Sequence, residues 1–106
     1  MTFNEYQNKA ASTAMYEDSV LYPTLGLTSE AGEVAGKVKK VLRDNEGVFT
    51  DANCVPIADE LGDVLWYVAA LADDLGYTLE EIAEMNIKKL ADRQARGVIK
   101  GSGDGR

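Results

Sequence analysis

IADELGDVLWYVAALADDL, residues 57–75, is the stretch on which the fold turns. Ile57, Leu61, Val64, Leu65, Val68, Leu71, Ala72 and Leu75 recur at helical spacing and form one apolar face. At about 100° per residue, Trp66 falls opposite that face, among Ala58, Gly62 and Ala69. A surface helix would carry charges there. Small residues around an indole instead predict a second packed surface, against another subunit. Glu60, Asp63, Tyr67 and Asp74 gather on one flank between the two faces. The stretch reads as a central helix, apolar on two sides and acidic on a third.

The rest of the chain supplies helices to surround it. Thr2 and Glu5 have capping-box spacing, which predicts helix 1 from Phe3 to about Tyr16, with Phe3, Tyr6, Ala10 and Thr13/Ala14 as its buried stripe. Pro23 suits a first helical turn, so helix 2 is expected from there to about Arg43. Its inward residues are Leu27, Ala31, Val34, Val38, Val41 and Leu42. DNEGVFTDANCV, residues 44–55, is expected as a long loop, with Pro56 opening helix 3 and Gly76 ending it as a C′ residue. Thr78 and Glu81 form a second capping box for helix 4, Leu79 to about Arg96. With no convincing strand, the expectation is an all-α four-helix bundle over residues 1–96. Residues 97–106, including the low-complexity GSGDGR, form a flexible tail.

Composition excludes several classes of function. A chain of 106 residues supports one domain with a modest core. Its longest apolar runs fall far short of the roughly twenty residues that span a membrane, and MTFNEYQNKA has no signal-peptide character. A lone cysteine, Cys54, fits a reducing compartment, and the expected location is cytoplasmic. A net charge of −7 argues against a nucleic-acid polymer or an anionic membrane as partner. Small anions remain accessible through a bridging cation. There is no histidine, so a resident metal must be held by oxygen, which favours Mg²⁺, Mn²⁺ or Ca²⁺.

Two acidic pairs point to such a site. Glu30 and Glu33 on helix 2, and Glu60 and Asp63 on helix 3, are each spaced i, i+3. Measured from Leu27 and Ile57, the first member of each pair lies about 60° and the second about 120° to the same side. In antiparallel neighbours, equal offsets bring both pairs to one side of the hairpin. A long loop before Pro56 leaves the pairs about 10 Å out of level along the helices, so that loop must run back along the bundle. Four converging carboxylates call for a hard divalent cation; solvated acidic faces are the ordinary alternative. On helix 4, Asn86 and Arg93 interrupt the face that should be buried, with Lys89 beside them. They can hold anionic oxygens or serve as counter-charges to the acids. Lys37, one turn beyond Glu33, can do likewise.

LTSEAGEV (27–34), ADELGDVLWY (58–67) and NIKKLADR (86–93) resemble the MazG-type all-α nucleoside triphosphate pyrophosphohydrolases. That family's pattern is E-E-x-x-E, then E-x-x-D, then N-x-x-K-L-x-x-R, and the resemblance extends over about residues 20–95. It departs at Ser29, where the pattern has a leading Glu. The resemblance implies Glu30, Glu33, Glu60 and Asp63 as Mg²⁺ ligands, with Mn²⁺ as substitute, and Glu30 or Glu33 positioning the attacking water. Lys37, Tyr67, Asn86, Lys89 and Arg93 are the expected substrate contacts. It further implies cleavage of a (d)NTP to (d)NMP and pyrophosphate, and a homodimer or tetramer, in keeping with the face around Trp66. The alternative is a homo-oligomeric helical module that binds a nucleotide or a structural cation without turnover.

Overall fold

A computed structural model describes residues 1–97 and 100. Four helices follow one another: α1 (Phe3–Ala11), α2 (Leu21–Asp44), α3 (Asp51–Asp74) and α4 (Leu79–Ala95). Among the described residues there is no strand. The expected tail lies outside the described residues, apart from Gly97 and Lys100.

Local chemistry explains each boundary. Thr2 caps α1, its hydroxyl accepting the Glu5 N–H at 3.1 Å. The helix stops at Ala11 and does not reach Tyr16. Ser12 and Thr13 turn their hydroxyls back onto the carbonyls of Lys9 and Ala10, at 2.6 and 2.7 Å, and so compete with continued helix. α3 begins at Asp51, well before Pro56. Thr50 and Asn53 cap it reciprocally: Asn53 N–H donates to Thr50 Oγ1 and Thr50 N–H donates to Asn53 Oδ1. Pro56 sits inside the helix, close enough to its start that one lost backbone bond is tolerated. At the other end Gly76 takes φ +83°, and Tyr77 N–H bonds the Ala72 carbonyl at 2.8 Å. The Thr78–Glu81 box then opens α4 as expected.

Moving the start of α3 corrects the register. The connection between Asp44 and Asp51 is short, so α2 and α3 pack as an antiparallel hairpin. Gly26 meets Tyr67, Glu30 meets Asp63, and Lys37 reaches Glu60, in reversed order along the two helices. No loop has to run back along the bundle. The acidic pairs are level because the helix begins earlier than its proline.

α3 is the helix that all others use. α2 packs on α3 alone, whereas α1 and α4 pack on α3 and on each other. The core is small: Ala69, Ala72 and Leu79 cluster with Tyr6, Val68 and Ile82 against them, and Ala10, Pro23 and Val41 are buried as well. Gln7, on α1, lies within this core. Its Nε2 donates to the carbonyls of Ala69 (3.3 Å) and Tyr77 (3.0 Å), and its Oε1 accepts the Leu79 N–H (2.9 Å). One amide thus ties α1 to the end of α3 and the start of α4. Phe3, expected in the buried stripe, is 56% exposed instead.

Trp66 has partners within the chain. Its Nε1 donates to Thr13 Oγ1 at 2.8 Å, and its ring meets Tyr16 and Tyr67 edge-on at 6.4 and 4.9 Å. The chain's own connection between α1 and α2 lies against the indole, which stays half-buried. That connection is pinned at its far end as well. Tyr16 Oη and the Val20 N–H both donate to Asp74 Oδ2, at 2.9 and 2.8 Å. Val20, at φ +66°, takes a backbone conformation unfavourable for a β-branched residue, and the bond to Asp74 helps hold it there.

Gln7→Ala would take the side-chain partner from the buried Leu79 N–H and from the part-buried Tyr77 carbonyl, and would empty the space beside Ala69. The expected loss is about 2–4 kcal/mol in urea unfolding, with α-helical circular dichroism retained before the transition. A loss within error of zero would mean that water replaces the amide.

Candidate active site

The hairpin of α2 and α3 assembles three of the four expected ligands. Glu30, Glu60 and Asp63 each present a carboxylate oxygen, and these oxygens lie within 4.8 Å of one another. Glu30 and Glu60 are half-buried and Asp63 is exposed. Glu33, one turn further along α2, is exposed and stands outside this group. Ser29 is likewise exposed.

The electrostatics of the group are unfavourable as it stands. Glu60 Oε1 lies 3.5 Å from Lys37 Nζ, but Oε2 is buried without a hydrogen-bond donor. The carboxyl of Glu30 is held above its ordinary 4.5, chiefly by hydrogen bonding to Glu60 and then by burial. Repulsion from Glu60, Asp63 and Glu33 adds to the shift. Two carboxyl groups can share a hydrogen bond only when one is protonated. Once both ionise, a buried oxygen faces like charge.

A hard divalent cation satisfies the same requirement. The donors are carboxylates, with Cys54 exposed elsewhere and no histidine in the chain. That set suits Mg²⁺ or Mn²⁺, leaving coordination positions for water and phosphate oxygens. An orphaned Oε2 and mutually repelling neighbours fit a cation at this point.

Beside the carboxylates is an open hollow of about 350 Å³ lined by Thr13, Glu30, Asp63, Trp66 and Tyr67. The phenol of Tyr67 is held above its ordinary value by a hydrogen bond with Tyr22 and by burial. Nearby Tyr22, Glu30 and Asp63 push it further the same way. Tyr22 and Tyr16 stack at 5.1 Å, so aromatic rings line one side of the site. Sequence reasoning placed Tyr67 on the acidic flank but missed Thr13, Tyr16 and Tyr22. Helical periodicity cannot place Thr13 and Tyr16, which lie in a connection, and Tyr22 falls just before the helix 2 start expected at Pro23.

The helix α4 candidates sit differently. Asn86 and Lys89 are exposed, while Arg93 is 4% exposed. α4 does not pack on α2, so these residues and Glu30 are related only through α3.

Carboxylates that converge between two antiparallel helices of an all-α protein offer the oxygen donors that suit a hard cation. The family model of the MazG nucleotide pyrophosphohydrolase domain matches residues 20–98, and the chain belongs to that family. It is also similar to the Gene 37 protein of Mycobacterium phage L5, at 48% identity, covering 95% of this chain and 96% of that protein. No solved structure matches it significantly.

Because the folded chain holds the Glu30 proton more tightly than the unfolded chain, that stabilisation exists below the unfolded value and is lost as pH rises through the folded one. Mn²⁺ and the proton should therefore compete. Calorimetric Mn²⁺ affinity is expected to fall as pH is lowered from about 7 toward 4.5, with a shallower slope in Glu30→Gln. Equal slopes would remove Glu30 from the exchange. In EDTA, Glu60→Gln, which can donate to Glu30, is expected to raise the melting temperature.

Proposed function

We propose that this protein is a Mg²⁺-dependent nucleoside triphosphate pyrophosphohydrolase that acts in housekeeping of a cytoplasmic nucleotide pool. The observation that carries the reading is the Glu30–Glu60–Asp63 group with its orphaned Glu60 Oε2, set beside an open aromatic-walled hollow. A divalent cation held by these carboxylates, with Mn²⁺ as substitute, supplies neutralising charge to the triphosphate oxygens. The chain's own groups do the rest. Glu33, exposed and one turn beyond Glu30 on α2, orients the attacking water in this reading, and Glu30 is the other candidate. A water-derived oxygen bonds to phosphorus, and the bond to the oxygen bridging the α and β phosphates breaks. Nucleoside monophosphate and pyrophosphate leave.

Lys37, which neutralises one oxygen of Glu60, keeps a cation at the rim where a phosphate oxygen would lie. Tyr67 lines the hollow, and Asn86, Lys89 and Arg93 serve the phosphate tail. Lys89→Ala is expected to raise KM or lower kcat with little change in apo stability. Wild-type kinetics with a lowered melting temperature would instead make Lys89 a counter-charge.

A homodimer or tetramer is part of the reading. α2 packs on only one neighbour, and Leu21, Leu25, Leu42 and Leu61 are 54–62% exposed. Burial against a second copy would contribute about 1.5–3 kcal/mol per leucine. Sedimentation is expected to show a dimer or tetramer, and a monomer at micromolar concentration would remove the assembly.

The deciding assay is release of pyrophosphate from a panel of ribo- and deoxyribonucleoside triphosphates with Mg²⁺. Turnover is expected from at least one of them, abolished by Glu60→Ala and by Asp63→Ala. No turnover with any triphosphate would favour the non-catalytic module, and full activity in both variants would sink the metal site.

A further inference from the structure

α2 has three glycines in its interior, Gly26, Gly32 and Gly36, where alanine would be the better helix former. A side chain at Gly32 or Gly36 would meet nothing within 4 Å. At Gly26 the first carbon of any side chain would clash with the ring of Tyr67. The bare backbone there is occupied space: the Tyr67 ring lies directly on α2.

That ring is hemmed in by aromatic neighbours on two sides. Trp66 stands against it at 4.9 Å with the planes 81° apart, and Tyr22 lies 6.2 Å away at 49°. Trp66 is itself tied to Thr13 through its Nε1. Tyr67 is thus wedged between aromatic neighbours and the α2 backbone, while it also lines the hollow shared with Glu30 and Asp63. Gly26 lies one helical turn before Glu30 on α2, so the backbone that supports the ring also carries a carboxylate of the group.

We propose that Gly26 is a positioning residue: it seats Tyr67 as a wall of the hollow that the ring shares with the carboxylates, against which the nucleoside part of the substrate stands. The identity of the ligand rests on the pyrophosphohydrolase reading above. Any β-carbon at position 26 pushes the ring toward the hollow or toward Trp66. Either shift narrows the space for the nucleoside without touching the metal-binding oxygens. A glycine whose role was only helix geometry would behave differently, because replacing it by alanine would favour the helix and leave the site alone.

The experiment is a double-mutant cycle with Gly26→Ala, Tyr67→Ala and both together. It is read by pyrophosphate release from the triphosphate panel, by Mn²⁺ affinity and by Trp66 fluorescence. In the otherwise native chain, Gly26→Ala is expected to raise KM about tenfold, with a smaller change in kcat, unchanged Mn²⁺ affinity and altered Trp66 emission. In the Tyr67→Ala background the same substitution is expected to add nothing to KM and to raise the melting temperature. Equal losses in the two backgrounds would overturn the proposal, as would native kinetics in Gly26→Ala. If the native protein cleaves no triphosphate, the catalytic reading fails by itself, and the cycle is read from Mn²⁺-dependent binding of the same triphosphates in equilibrium dialysis. Non-additive losses there sustain the role of Gly26; additive losses, or no binding at all, overturn it. Should Gly26→Ala fail to fold, Gly26→Ala with Tyr67→Ala must fold, since the obstructing ring is gone; failure of both would also overturn it.

Discussion

Like charge held at short range is the constraint around which this molecule is arranged. Glu30, Glu60 and Asp63 come together only because α2 and α3 lie antiparallel and in register, and their mutual repulsion opposes that packing. Lys37 neutralises one oxygen of Glu60 and leaves the other buried without a donor. A proton on Glu30 relieves part of the strain, and a hard cation would relieve more. The carboxylates therefore cost stability at this seam. The hairpin gives up favourable energy to keep oxygens converging on one point.

The remaining elements hold α3 steady while it carries that load. Gln7 fastens α1, the end of α3 and the start of α4 through three backbone hydrogen bonds. Asp74 gathers Tyr16 and Val20, fixing the connection that lays Thr13 against Trp66. These polar ties matter because the enclosed apolar core is confined to a few side chains. Several leucines on α2 and α3 stay largely exposed. A surface of that kind is usually covered by another protein surface.

Much of the architecture was legible from local signals. Helical periodicity and two capping boxes placed α1, α2 and α4 to within a few residues at most boundaries, and Gly76 marked the end of α3. The two acidic pairs and their equal offsets were also visible, because helix geometry alone fixes angular position. What misled was the proline. Pro56 reads as a first helical turn, yet Thr50 and Asn53 supply a stronger start, with an Asn where the usual signature has Glu or Gln. The same short-range chemistry ended α1 early, where Ser12 and Thr13 bond backward.

The sequence by itself determined which residues could share a helix face, and hence that carboxylates would converge between two helices. It also determined that any metal would be held by oxygen, since the chain has no histidine. Only tertiary structure decided the register that levels Glu30 with Asp63, which of the four acids stand together, and what lies against Trp66. It alone showed that Gly26 is filled by the ring of Tyr67. The physical reason is that angular position depends on residue number within one helix. Axial register, by contrast, depends on where the partner helix begins. Contacts made by connections such as residues 12–20 follow no period, so spacing in the sequence carries no trace of them.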